Sequence, residues 1–178
     1  ELDGTGDYAL LNSPLAWNGA THISASVDFR FDDPGEQGYV RPLYNEGAFG
    51  IDVRSSALSA MVMTSSGAEW IYVGNQSFND SQWHTLQMDI DTVSTRVVIT
   101  ADGQVLVDRT DLDLVLPSTF NATQLGGAHW GRWLPGEIDN VSISNSDSPA
   151  PPPPPPQPSP MTEIAIDFET GAPPGLTL

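Results

Sequence analysis

The chain has 178 residues, 23 of them Asp or Glu against six Arg and no Lys, for a formal net charge of −17. Binding to a nucleic acid or an anionic membrane surface needs clustered Lys and Arg, so both are excluded as functions. The absence of cysteine excludes disulfides, and no apolar run approaches the ~20 residues that a membrane-crossing helix requires.

An acidic surface of this kind attracts divalent cations or simply keeps a protein soluble in salty surroundings. The chain begins at Glu1 without a Met or a signal peptide, which reads as a mature product or an excised fragment.

In chain order, the first strong pattern is HISASVDFRF at residues 22–31. Ile23, Ala25, Val27, Phe29 and Phe31 alternate with Ser24, Ser26, Asp28 and Arg30, the period of a half-buried strand. Phe49, Ile51 and Val53 alternate with Gly50 and Asp52, and Leu58, Ala60 and Val62 with Ser59, Met61 and Met63. Trp70 and Tyr72 share one strand face, with Ile71 and Val73 on the other. Both faces are apolar, so burial and an exposed stacking platform both remain open. Leu86, Met88 and Ile90 form a further alternating run, opened by Trp83 and His84, and Trp83 is expected to be buried. Two runs flank Asp102-Gly103, a pair suited to the positive φ of a tight hairpin turn. The acidic pairs Asp32/Asp33, Asp89/Asp91 and Asp111/Asp113 are assigned to solvated loops and faces. No window sustains helical periodicity, and about ten short strands separated by turn signals imply an all-β antiparallel sandwich.

Residues 146–160 (SDSPAPPPPPPQPSP) read as a proline-rich linker. Proline fixes φ and removes the backbone donor, so the segment is expected to be extended and semi-rigid, a spacer rather than a peptide ligand. At ~3.1 Å per residue the thirteen residues 148–160 reach roughly 40 Å. The organisation is therefore residues 1–145 as the sandwich, 146–160 as linker, and 161–178 as a C-terminal strand segment. That segment carries apolar positions at Ile164, Ile166, Phe168, Leu176 and Leu178.

Three stretches carry a family signal in order: LDGTGDYALL (residues 2–11), WHTLQMDID with VVITADGQVL (83–91 and 97–106), and GEIDNVSIS (136–144). Together they resemble the concanavalin A-like, laminin G-type jelly roll. The resemblance implies a β-sandwich whose family members begin with a strand before the LDG stretch. Residues 164–178 look like that strand, because joining Leu178 to Glu1 gives an uninterrupted domain start. A sandwich without it has an unpaired edge and exposed core. The tail is then expected to complete a sheet in its own domain, in a neighbouring copy or in a next repeat. Within GEIDNVSIS the apolar phase shifts between Ile138 and the Val141/Ile143 pair, which predicts a bulge near Asp139.

The related glucanases carry a Glu-x-Asp-x-Glu set on one strand face for acid and nucleophile work. Residues 163–169 (EIAIDFE) break that spacing at Ala165, and Glu137-Ile138-Asp139 has Val141 where the third carboxylate would stand. His22, His84 and His129 are scattered, so His84 reads as structural and the chain as a non-enzyme. The resemblance also implies a structural Ca2+ shared by Asp139 of the IDNV stretch and Glu169 of the FETG stretch. The alternative is that both carboxylates accept turn hydrogen bonds. For glycans the resemblance points to exposed aromatics with polar neighbours: Trp130 with His129 and Arg132, and Trp70 with Tyr72. Trp133 is expected to pack inward before Gly136.

The sequence thus describes an extracellular or cell-surface module with no catalytic role. Its expected partners are other copies of itself, as a filament subunit or adhesin repeat joined by strand complementation and stabilised by calcium. Glycan binding by a lectin-like module is the alternative.

Overall fold

The structure is a computed structural model. It describes residues 2–3, 6, 8–11, 20–32, 38–74, 76–117, 122–128 and 131–146. Among the described residues, twelve strands run in chain order. They are β1 (Leu2–Asp3), β2 (Ala9–Leu11), β3 (His22–Phe31), β4 (Val40–Asn45), β5 (Phe49–Arg54), β6 (Ala57–Thr64), β7 (Gly67–Gly74), β8 (His84–Asp91), β9 (Arg96–Ala101), β10 (Gln104–Arg109), β11 (Thr123–Leu125) and β12 (Pro135–Ser146). They form two six-stranded antiparallel sheets, ordered β1-β12-β3-β8-β9-β10 and β2-β11-β4-β5-β6-β7. No helix occurs among the described residues.

The alternation in residues 22–31 becomes the centre of the first sheet. The odd-numbered residues of β3 from Ile23 to Phe31 are buried and its even-numbered residues from Ser24 to Arg30 half-exposed. Register then builds the core in rows: Ile23 faces Ile90, which faces Val97; Ala25, Met88 and Ile99 form the next row; Val27, Leu86 and Ala101 the third. Each such fully buried Ile or Leu contributes about 1.5–3 kcal/mol by leaving water. Across the sandwich, Leu43, Phe49, Ile51, Val53, Leu58, Ala60 and Val62 supply the facing layer. The hairpin between β9 and β10 turns on Asp102 (φ 50°) and Gly103 (φ 76°), as the Asp-Gly pair predicts.

Three expectations need correction. Trp83 is not buried: it precedes β8 and is 45% exposed. It continues the β3–β8 register beside outward-facing Arg30, whose guanidinium carbon lies 5.1 Å from the Trp83 ring centre. Asp91 is buried rather than on a solvated face. It accepts from the Val93 and Ser94 backbone N–H groups and the Ser94 hydroxyl, closing the turn into β9. The polar phase of β5 and β6 is covered too, with Gly50, Asp52, Ser59 and Met61 all buried. A second layer of side chains lies on that outer face.

The shift in GEIDNVSIS is a bulge, as expected. The register of β12 on β3 slips between Asp139 and Ser142, and Asn140 takes φ 46°. The extra residue keeps Ile138, Val141 and Ile143 all turned toward the core.

Candidate functional site

Two features distinguish this sandwich, one on the outer face of the second sheet and one at the open edge of the first. On the outer face, cross-strand register sets two rows. Tyr44, Gly50, Met61 and Trp70 form one; Asp52, Ser59 and Tyr72 form the next. The slip in β4 between Val40 and Leu43 brings Arg41 to this face. Arg41 makes a two-pronged contact with Asp52, Nε to Oδ1 and NH2 to Oδ2 at 2.9 Å. Both side chains are buried, at 3% and 5% exposure. A fork-to-carboxylate pair is strong only where both ions keep their partners, because desolvating either alone is costly.

Aromatic rings enclose the pair. The Arg41 guanidinium carbon is 4.2 Å from the Tyr44 ring centre, 5.7 Å from that of Trp70 and 6.0 Å from that of Tyr39. Arg132 and Arg54 stack on Tyr39 as well, at 4.0 and 4.9 Å. Cations above ring faces are attracted by the ring quadrupole. Gly50 makes room for the Tyr44 ring: a Cβ there would lie 2.5 Å from Tyr44 Cδ2. Burial pushes the Tyr44 hydroxyl pKa up, with Glu46 and Asp52 adding to it and Arg41 opposing. Half the arginines of a strongly acidic chain therefore gather around one tyrosine.

This face unites residues that the sequence left apart. Trp70 and Tyr72 are 45% and 67% exposed while Ile71 is buried, which resolves the strand in favour of an exposed aromatic face. Arg132 reaches the same face through Tyr39, and Ala128 packs with Tyr44 and Met61. His129 and Trp130 lie outside the described residues; the flanking Ala128 and Gly131 exchange two backbone hydrogen bonds of 2.9 Å. Trp133 is half-buried, with its ring against Gly127. Sequence reading missed Tyr39, Arg41, Tyr44, Asp52 and Arg54. Its only available signal was a charge inside each of two apolar runs, and alternation assigns such charges to solvent.

The second feature is the edge of the first sheet. Among the described residues, β12 has an outer partner only at Gly136 and Pro135, which pair with Leu2 and Asp3. Beyond them lies a groove of about 360 Å3 lined by Leu2, Ala9, Leu125, Ile138, Asp139, Asn140 and Val141. Ile138, Val141 and Ile143 are only half-buried, whereas Phe29, Val27 and Ala25 on the adjacent β3 are fully buried. Leu10 and Leu11 of β2 are 44% and 42% exposed. Gly126, at φ 76°, seats the Leu2 side chain.

Asp139 is exposed and accepts the Asn140 backbone N–H at 2.8 Å, the turn hydrogen bond considered as the alternative to calcium. Among the described residues no three His, Cys, Asp or Glu side chains come together to hold a metal ion. Glu169 lies outside the described residues, as do Ile164, Ile166, Phe168, Leu176 and Leu178. Glu137 is ion-paired with Arg30 at 2.8 Å. His84 is held on both nitrogens, by Asp102 at 2.8 Å and Asp80 at 3.0 Å, and packs edge-on to Phe78. Burial works against its charge, but the Asp102 and Asp80 carboxylates prevail and raise its pKa.

A family model described as the concanavalin A-like lectin/glucanases superfamily (Laminin_G_3) matches residues 3–148. Among solved structures, the mouse laminin alpha1 chain, domains LG4-5, superposes with a TM-score of 0.59 at 21% identity, over 80% of this chain and 40% of that one. The LG1-3 region of the laminin alpha2 chain gives 0.60 at 16%, over 84% and 31%. The CBM40 of Ruminococcus gnavus IT-sialidase, bound to alpha2,3 sialyllactose, gives 0.52 at 7%, over 75% and 79%. The chain therefore spans well under half of the laminin chains it resembles, and at these identities the likeness is one of fold. No curated protein matches the sequence.

Proposed function

The chain belongs to the concanavalin A-like lectin/glucanase superfamily, laminin G-type, and from that premise we propose that it is a non-catalytic extracellular module that assembles by strand addition. In this reading, residues 161–178 of one copy complete the first sheet of another, as in an adhesin repeat or filament. The single observation that carries it is the β12 edge: an apolar groove beside Ile138 and Val141, with a strand partner only at Gly136 and Pro135 among the described residues. An open sheet edge over half-exposed core is a template for another strand. Calcium is a separate part of the proposal, an ion shared by Asp139 and Glu169; chelation should then lower the melting temperature of the full chain only.

Deleting residues 151–178 tests the assembly. The full chain is expected to sediment as a larger species and to melt higher than the truncated one, and a peptide of residues 161–178 added to the truncated chain should restore the higher melting. Equal size and equal melting for both chains would sink the reading.

A second reading has its own support. Trp70 and Tyr72 stand exposed beside Tyr39 and Arg132, an aromatic platform with cations at its margin that suits a sugar face. A glycan array would compare the intact chain with Trp70→Ala, Tyr72→Ala and Trp130→Ala. Equal signals from all four proteins would remove this site.

A further inference from the structure

We infer that the sugar taken by the outer face of the second sheet is an acidic one, a pyranose carrying a single carboxylate, which Arg54 and Arg132 hold beside Tyr39 while the ring lies on Tyr72. The inference rests on the glycan-binding reading and names the ligand class of that site.

Charge points to an acid. The chain is strongly acidic, with six arginines and no lysine. Among the described residues, Arg30, Arg41, Arg96 and Arg109 are each ion-paired with a carboxylate. Arg54, exposed at the end of β5, enters none of those pairs. It stacks instead on Tyr39 at 4.9 Å, where Arg132 stacks at 4.0 Å. Two guanidiniums on one ring repel each other. The ring quadrupole attracts both, and an anion bound between them would remove the repulsion. Arg132 also holds φ 69°, a left-handed backbone that arginine rarely adopts and that recurs where proteins hold ligands. Its carbonyl accepts the Arg41 backbone N–H at 3.0 Å, which ties this turn to β4 and fixes where the Arg132 side chain starts.

Register sets the span. Strands β4 and β5 pair Val40 with Val53, both in the core, so Tyr39 and Arg54 are cross-strand neighbours one step further on, turned outward. Arg54 faces Ala57, and Ala57 faces Gly74. The row therefore drops from a tyrosine and an arginine to a methyl group and a bare Cα. Tyr72 bounds the low end: a Cβ on Gly74 would lie 3.5 Å from Tyr72 Cε1, and the Tyr72 side chain is exposed. β5 and β7 are two strand spacings, about 10 Å, apart. One pyranose ring bridges that step, its apolar face on the phenol and a carboxylate on its rim reaching the Arg54 fork.

Charge also limits the acid. A net charge of −17 repels a polyanion at long range, and the guanidiniums at Tyr39 offset only a small part of it. A guanidinium matches one carboxylate with two parallel hydrogen bonds. One carboxylate per sugar therefore suits the site, and a densely sulfated chain does not.

Uronic and sialic acids share this chemistry, and an array tells them apart. The full chain would be screened on glycans ending in glucuronate, galacturonate or N-acetylneuraminate, each beside its carboxyl-reduced counterpart, with a sulfated glycan as a further arm. At least one acid is expected to bind roughly tenfold or more tightly than its reduced counterpart, and that preference should shrink as salt rises. Arg54→Gln, at an exposed position, should bring the two forms to equal affinity, and Arg54→Lys should keep only part of the preference. Tyr72→Ala should lose the acidic and the reduced glycan alike. Equal binding of acid and reduced forms by the full chain, with loss of both in Tyr72→Ala, keeps the glycan reading and overturns this inference. A preference for the sulfated glycan overturns it too, as does an acid preference that survives Arg54→Gln. If no glycan binds, the glycan reading falls and this inference falls with it.

Discussion

Asn140 donates from Nδ2 to Asp28 Oδ2 across 2.7 Å, tying the bulge of β12 to the middle of β3. On its other oxygen Asp28 accepts the Thr85 hydroxyl at 2.6 Å, so one carboxylate links β12, β3 and β8. Asn140 also holds φ 46°, a region that Asn tolerates and β-branched residues do not. Asn140→Val is expected to cost about 1–2 kcal/mol for the backbone alone, plus the lost hydrogen bond. Asn140→Gly keeps the turn and loses only the bond, about 1 kcal/mol. Urea denaturation should rank the native chain above Gly and Gly above Val; equal midpoints for the two variants would contradict this account of the bulge.

The bulge was legible before the structure because two apolar residues change phase within six positions, and a phase change in a strand has one economical cause. The inward faces of β3, β5, β6 and β8 were legible for the same reason: a sandwich core is written with period two. The aromatic and arginine cluster was not. Its pairs come from different strands, Arg41 with Asp52 and Arg132 with Tyr39, and pairing across a sheet depends on register that a single strand does not encode. The groove was not legible: the phase of GEIDNVSIS turns Ile138 and Val141 inward, but what covers them depends on pairing that a single strand does not encode.

Arg41 and Asp52 form an ion pair that is almost fully withdrawn from solvent. Asp52→Ala leaves the guanidinium desolvated beneath Tyr44 and is expected to cost about 3–5 kcal/mol. Arg41→Met with Asp52→Leu removes both charges while keeping volume, and should cost far less. Chemical denaturation of the single and double variants checks this. A double variant as unstable as Asp52→Ala would mean that the face depends on the charges themselves.

His84 gives the domain a pH dependence. Its pKa is raised in the folded chain, burial opposing and the Asp102 and Asp80 carboxylates winning, while an unfolded histidine titrates near about 6.5. A group with a raised folded pKa contributes fully below its unfolded value and loses that contribution as pH climbs through the folded value. The melting temperature should therefore carry a component that declines as pH rises above about 6.5. His84→Gln should remove that component. An unchanged pH profile in the variant, or a histidine resonance titrating below the unfolded value, would refute it.

Gly136 is the residue through which β12 contacts both β1 and β3. It pairs with Leu2 on one side and Phe31 on the other, and a Cβ there would stand 2.0 Å from the Arg30 carbonyl oxygen. That neighbour is backbone in a central strand, so it cannot rotate away as a side chain would. Gly136→Ala must push β12 from β3 or tilt its first residues outward, at a cost of about 1–3 kcal/mol. Either movement also displaces the groove beside Ile138 and Val141 that a donor strand would enter. The variant is thus expected to melt lower and to lose the size difference between the full chain and the chain lacking residues 151–178. Gly103→Ala, in an open turn at φ 76°, serves as the control: it should lower stability by about 1 kcal/mol through backbone strain alone and leave assembly intact. Equal assembly by Gly136→Ala and the native chain would place the donor strand somewhere other than the β12 edge.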